Sequence, residues 1–542
     1  KAMASGTMCA TCFVGCGAGL TGIDAGFDPD AQENLYAGTN AGAASDADTC
    51  YNIALGCNAG NALNSGDYNI ILGYEAGKYT TSGSNNIFLG CEAGKCNVDA
   101  DNNIFFGNNA GYCTSDAACN VAIGFNAAAC RNSAGGIFIG RYAGFGCAGA
   151  TGTNNIAIGD EAGRCLSTGR ESVFLGVNSG KNTTTGGYNI FFGNNAGLCN
   201  TTLGCSVIAG FNAGKCRNGS TNIFIGKYAG MGCDGATGLR NIALGENAGR
   251  CGSTSNNGIY IGSDAGKSTT TGSYNIFFGY YAGSCNSSAA CNFAAGVFAA
   301  KCRNSANGIF IGPSAGMGCN GASGAGNIIL GNEAGKCSTT GANNVISGSY
   351  AAKCITTGGY NVIFGQQAGK CLTTGDNNVF LGKYVAYGTT ITGDDNISLG
   401  RCSGLCLTSG SCNNFIGANA GRCMADGEYN VFIGRSAGCT STTGSYNIAI
   451  GDGVTLPSAT GSTQLEIGIG PGRWISGNSS YTVCLANTSA IKATEQGVFH
   501  ATKFCGDGSC LTGIKFKPDS QENLYAGTSA GAGSDGDTCF NI

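Results

Sequence analysis

A glycine returns along this chain about every seventeen residues, and that period constrains the fold more than any other feature. The segment Asn69-Ile-Ile-Leu-Gly73 recurs as Asn86-Ile-Phe-Leu-Gly90 and again as Asn103-Ile-Phe-Phe-Gly107. The closing glycine can be followed from Gly38 through Gly56, Gly124, Gly210, Gly296 and Gly382 to Gly451. It gives twenty-five marks, most of them 17 residues apart and a few 16, 18 or 19. A fixed period of this length is the mark of a repeat architecture in which each unit buries its core only by stacking on the next. A second period lies above the first. Gly124, Gly210, Gly296 and Gly382 are each 86 residues apart, and the steps between them recur in the order 16, 19, 17, 17 and 17. The cysteines follow it too, as in Cys113, Cys199, Cys285 and Cys371.

The largest period is about 490 residues. Gly19-Leu-Thr-Gly-Ile23 and Asp30–Gly38 return as Cys510-Leu-Thr-Gly-Ile514 and Asp519–Gly527. This predicts one unit, plus overlap, of a longer tandem array; similar caps at both ends are the alternative. The chain opens at Lys1 rather than Met, so it is expected to be processed or a piece of something longer.

Within a coil, Asn-Ile-Phe-Ile-Gly reads as a short strand of alternating exposure. The first and third positions, Ile or Val and then Leu, Ile or Phe, are expected to fill the interior. The recurrent Asn is expected to stack on its copies as an amide ladder. Glycine-rich turns such as Gly73-Tyr-Glu-Ala-Gly77 then lead through a second stretch, often Thr-Thr-Gly, to the next Asn. Composition fits many tight turns joining many short strands: 97 glycines but only 5 prolines in 542 residues, with 42% hydrophobic residues, exclude collagen and a disordered chain. The predicted fold is an all-β parallel β-solenoid of about 25 coils with a 17-residue period and an 86-residue super-repeat. The expected organisation is a junction or cap over 1–33, the solenoid over 34–451, a non-repetitive β junction over 452–514, and the start of the next unit over 515–542.

The middle strand position carries Phe88, Phe105, Phe138, Phe191, Phe224, Phe277, Phe310, Phe380 and Phe432, interspersed with alanines. If the flanking positions point inward, this stripe points outward, and an apolar outward stripe predicts a lateral interface between copies. The alternative is a wider coil whose neighbouring segments cover the stripe.

Thirty-three cysteines against a single histidine point to an oxidising setting rather than zinc sites. Six or seven residues after the coil glycine stand Cys96, Cys113, Cys130, Cys147, Cys165, Cys199, Cys216, Cys233, Cys251, Cys285, Cys302, Cys319, Cys337, Cys354, Cys371, Cys406 and Cys423. Neighbouring coils bring such positions about 5 Å apart, within the range a disulfide spans. A second set (Cys119, Cys205, Cys291, Cys412) is available to pair with the first or with another chain. Cys9, Cys12 and Cys16 have metal-like spacing but no histidine beside them, and no metal or other cofactor is expected.

The 28 basic and 32 acidic residues form no basic stripe, and no apolar run approaches the length of a membrane helix. Neither nucleic acid nor a membrane is expected as partner. His500 has no nucleophile beside it, and Glu75, Glu92, Glu161 and Glu333 share one turn position as a matter of repeat geometry. No enzyme is expected. Glycosylation sequons stand at Asn182, Asn200, Asn218, Asn286, Asn396, Asn478 and Asn487.

The Asn-Ile-x-Ile-Gly-x-x-Ala-Gly coil, from about Asn34 to Gly451, resembles in style the heads of trimeric autotransporter adhesins, whose coils are shorter and lack the cysteines. The stretch Ala501-Thr-Lys-Phe-Cys-Gly-Asp-Gly-Ser-Cys-Leu-Thr-Gly-Ile514 resembles the Phe-x-Gly-Asp-Gly-Ser-Gly-Leu-Thr element of phage and large-virus tail-fibre-like proteins, with Cys510 where glycine is usual. The resemblance implies a trimeric fibre on an extracellular, cell or virion surface. The expectation is a structural subunit that associates with itself laterally and end to end. An adhesin binding a glycan or cell-surface receptor is the alternative, and an ice-binding protein with threonine ladders a minor one.

Overall fold

The computed structural model describes residues 29–146, 149–233, 235–318, 321–480, 482–485, 491–493 and 499–501. Twenty-five three-residue strands, β1 (Leu35–Ala37) to β25 (Ile448–Ile450), stack as a parallel solenoid about 17 residues per turn, with no helix among the described residues. Each strand pairs in register with the next coil's, as Ile87, Phe88 and Leu89 do with Ile104, Phe105 and Phe106. At the usual strand spacing, twenty-five coils make a rod of roughly 115 Å. Strand β26 (Leu465–Ile469) adds one more parallel partner. The sheet then reverses into an antiparallel meander of β27 (Gly472–Gly477), β28 (Val483–Leu485), β29 (Ile491–Ala493) and β30 (Phe499–Ala501). Residues 1–28 and 502–542, which include Cys9, Cys12, Cys16 and the expected start of a next unit, lie outside the described residues.

Glycine closes each strand because nothing larger fits. Gly107 has φ +133°, and a Cβ there would lie 2.7 Å from the carbonyl oxygen of Gly124 in the next coil. Backbone groups are satisfied between coils all the way round: Gly73 N donates to Leu55 O, Gly77 N to Ala93 O, Tyr79 N to Lys95 O and Asn85 N to Asp67 O, each at 2.8–2.9 Å.

The recurrent asparagine forms the expected ladder, buried in the core. Asn378 Oδ1 accepts from the backbone N–H of Asn396 at 2.9 Å and from its Nδ2 at 3.1 Å, while Asn378 Nδ2 donates to Gly393 O at 3.0 Å. Where serine replaces asparagine, Ser172 and Ser206 accept the next coil's N–H in the same way, from Asn189 and Asn222 at 3.1 Å.

This ladder reverses the expected facing of the strand. Asn and the middle residue are two apart, so a buried Asn turns the middle residue inward and the first and third outward. Phe88, Phe105, Phe138, Phe191, Phe224, Phe277, Phe310, Phe380 and Phe432 are therefore core residues, each at most 1% exposed, and do not form a lateral interface. They stack along the axis, Phe88 on Phe105 with ring centroids 5.1 Å apart and Phe415 on Phe432 at 5.3 Å. One hydrophobic cluster runs from Ala54 to Leu456, joining these residues to the turn alanines (Ala76, Ala93, Ala110) and to a third column that includes Leu166, Leu407 and Met424.

Candidate surface for self-association

Turning the middle residue inward leaves two outward apolar columns. The first strand position presents Ile70, Ile104, Ile190 and Ile309, and the third presents Phe106, Phe192, Ile225 and Phe364; all are exposed, Phe106 at 55% and Phe192 at 60%. A tyrosine column at the preceding corner borders them. Tyr51 stacks on Tyr68 at 5.0 Å and Tyr429 on Tyr446 at 4.9 Å, with near-parallel rings. No residue of β1–β25 is charged. At roughly 60 Å² per outward side chain and two per coil, the face presents on the order of 3,000 Å², against a largest patch of ~300–600 Å² on ordinary monomers.

Many of the charges lie around the turn after the strand, where they neutralise one another coil to coil. Glu75 accepts from Lys78 at 2.8 Å and Lys95 at 2.6 Å, and Lys95 also reaches Glu92 at 2.7 Å. Hydrogen bonds from Lys78 and then Lys95 hold the Glu75 carboxyl down to about 2. Glu161 likewise joins Arg164 and Lys181, and Glu333 joins Lys336 and Lys353.

Some of the predicted cysteine neighbours come together. The Cys113 thiol is in hydrogen-bonding reach of Cys96 and Cys130, and burial followed by these neighbours pushes it up to about 12. Cys354 meets Cys371, and Cys406 and Cys439 both flank Cys423. Elsewhere the neighbour differs: Cys165 Sγ faces Asn182 Oδ1 at 3.9 Å. No disulfide is formed among the described residues; Cys147 and Cys319 lie outside them. Cys199 and Cys216 occupy the same corner of consecutive coils, as do Cys285 and Cys302, but in the coil after Cys216 the place falls to Gly232 rather than Cys233: Gly232 N donates to Lys215 O and Cys251 N to Met231 O, and Cys233 is exposed.

Of the predicted glycan sites, Asn200, Asn286 and Asn396 are at most 1% exposed and are inaccessible to a glycan. Asn396 belongs to the core ladder. Asn182 and Asn218 are half-buried, Asn478 is exposed, and Asn487 lies outside the described residues. No group of three metal-ligating side chains occurs among the described residues, and no helix is long and apolar enough to cross a membrane.

Sequence reading missed the outward Ile/Phe columns and three fully buried arginines, Arg131, Arg217 and Arg303. The 86-residue spacing of those arginines, in a column otherwise filled by uncharged residues such as Leu63, Thr114, Asn200, Ser338 and Met424, was the available signal. The chain is thus a β-solenoid repeat protein, an architecture compatible with fibre-like repeat proteins. No protein-family model and no curated protein matches it.

Proposed function

We propose that this chain is a structural subunit of an extracellular or virion-surface fibre, in which solenoid rods associate laterally through their apolar sheet faces and continue end to end. The observation that carries the reading is the uncharged Ile/Phe face running the length of the rod. Its area, roughly four times the ~800 Å² per partner of a standard protein interface, suits a long side-by-side contact between copies of the chain. A homotrimer buries three such faces around one axis and is the expected assembly. The thiol column supports an oxidising location. Oxidation of neighbouring rungs such as Cys96–Cys113 or Cys354–Cys371 closes a loop of about 17 residues, each contributing roughly 3 kcal/mol in the chain-entropy model.

Electron microscopy and sedimentation equilibrium of the native chain test this reading together. Bundled rods or continuous fibres with a three-chain mass are expected. Monodisperse single rods of one-chain mass, at any accessible concentration, would remove it.

A further inference from the structure

Three cysteines away from the stapling corner repeat at the 86-residue interval: Cys119, Cys205 and Cys291. Each directly precedes a ladder residue (Asn120, Ser206 or Asn292), at the corner that other coils give to Tyr51, Tyr188 or Tyr429, and so borders the apolar sheet face. All three are exposed. Cys291 lines a surface groove of about 420 Å³ with Ile276, Phe293 and Ile309 of the first outward column. The fourth cysteine at this corner, Cys412, differs: it is half-buried and in hydrogen-bonding reach of Tyr429.

No cysteine of the same chain is placed to receive these thiols among the described residues. Cys119 N donates to Asp101 O at 3.0 Å and Gly135 N to Ala118 O at 3.1 Å, which sets Asn102 and Gly135 beside Cys119 in the adjacent coils. Matching bonds set Tyr188 and Thr221 beside Cys205, and Tyr274 and Asn307 beside Cys291. Five coils separate each of the three from the next, ~24 Å at the usual strand spacing, against about 6 Å between the Cα atoms of a disulfide. The cysteine six residues earlier in the coil stands at the other corner, where Cys113 turns to Cys96 and Cys130.

Backbone preference does not account for these cysteines either. Their φ values are +61°, +53° and +59°, a left-handed region that favours asparagine or glycine, and Asn85, Asn102 and Asn257 hold the same place in other coils. Exposed thiols recur at one edge of the association face, in a conformation that suits another residue better, and out of reach of one another.

We propose that Cys119, Cys205 and Cys291 form disulfides with a second copy of this chain, locking neighbouring rods in axial register. This rests on the lateral association proposed above. A three-fold axis relates like cysteines in threes, whereas a disulfide joins two, so the links run from a chain of one trimer to a chain of the next. Equal spacing lets all three close at once. Each meets its own copy between parallel rods, or Cys119 meets Cys291 on either side of a Cys205 pair between antiparallel ones. The oxidant is a small-molecule disulfide such as oxidised glutathione. One cysteine thiolate attacks it and releases a small thiol, and the second chain's thiolate displaces the other small thiol from the mixed disulfide. Two protein thiols and one small disulfide thus become one protein disulfide and two small thiols.

The test uses the full chain, isotope-labelled and unlabelled copies mixed in reductant, assembled, and then transferred to oxidised glutathione. Alkylation, digestion without reductant and mass spectrometry should find mixed-isotope linked peptides at Cys119, Cys205 and Cys291. A denaturing gel without reductant should show a two-chain band. The band should be lost in the Cys119→Asn/Cys205→Asn/Cys291→Asn variant, which uses a residue this corner already carries, and kept in Cys412→Asn. Bundled rods whose three thiols alkylate freely or are linked to Cys113, Cys199 or Cys285 of the same chain, or a band that persists in the triple variant, overturn this inference alone. Rods that sediment singly in reductant overturn the lateral association and this inference with it.

Discussion

Adjacent phenylalanines in one strand offer a decisive perturbation, because parity assigns them opposite fates. Phe191 is fully buried and packs on Phe174 at 5.3 Å, while Phe192 beside it is 60% exposed on the sheet face. Phe106, Phe192 and Phe364 occupy the same outward position at intervals of one or two 86-residue units. With a phenylalanine side chain presenting ~200 Å², the three together offer on the order of 300 Å² of outward apolar surface, worth about 8 kcal/mol of association at ~25 cal/mol per Å². Replacing all three by threonine keeps a strand-favouring residue at each site and removes most of that area. The folded rod should persist, with an unchanged thermal midpoint for the isolated chain. Lateral association followed by sedimentation velocity should weaken by several powers of ten.

Phe191→Ala is the counterpart. It deletes a core ring and is expected to destabilise its neighbourhood by about 3–5 kcal/mol. Solenoid coils contact only their neighbours, so the loss should appear as faster amide exchange in the coils around residue 191 rather than as global unfolding. The outward face of those coils is untouched, so association should survive. If the triple threonine variant assembles like the native chain, while Phe191→Ala disperses the assembly and leaves exchange unchanged, Phe192 does not face outward and Phe191 does not face the core.

Three further outcomes follow from particular contacts. Asn378→Ala leaves the Asn396 N–H and the Gly393 carbonyl buried without their partner, at roughly 1–3 kcal/mol each, and should raise exchange on both flanking coils. Gly197→Ala should destabilise far more than Gly60→Ala. Both glycines have positive φ, +62° and +54°, but a Cβ at 197 would meet the Phe191 ring at 2.6 Å whereas at 60 the nearest atom is Ile71 Cδ1 at 3.1 Å; chemical denaturation of the two variants checks the order. Glu75 titrates at about 2 in the folded chain against 4.5 when unperturbed, so its contribution is fully present above pH 4.5 and is lost as the pH falls toward 2. Thermal midpoints of the native chain and Glu75→Gln should therefore differ at neutral pH and converge in acid.

The coil, its period and its parallel stacking were legible because glycine, asparagine and one alternating triplet each carry a local physical requirement that recurs at every turn. Facing was not, and the reason is instructive. Ile and Phe are equally apolar, so hydropathy cannot say which of Ile190, Phe191 and Phe192 points inward. The asparagine could have said so: an amide that ladders coil to coil must be buried, and Asn189 lies two residues before Phe191 and on its side of the strand. The same logic bears on Asn200 and Asn286, whose sequons look like turn sites in sequence but whose side chains fill the core column also occupied by Leu63 and Met424. The apolar outward face was inferred with the wrong residues; what places it is the backbone, through the positions that Phe106 and Phe192 occupy.

The 86-residue unit is best understood through its irregular coil. A 19-residue turn in a stack of 17-residue turns has more carbonyls than its neighbours have N–H groups to match in register, and the surplus needs donors. The third core column answers with its longest residue. Arg131, immediately before the wide coil, bridges to Ala150 within it and sends its guanidinium on to Gly152 O and to Leu166 O in the coil beyond, so one side chain ties three turns together. Arg303 repeats this toward Gly324 and Ser338. The 18-residue coil between Gly382 and Gly400 needs no such device: Leu372 bridges to Ile391, and the buried Ile391 fills the smaller excess with hydrocarbon. A one-residue insertion is thus absorbed by an aliphatic side chain and a two-residue insertion by a cation with directed donors. The order of short and long coils recurs along the chain because each long coil is specified together with the arginine that precedes it.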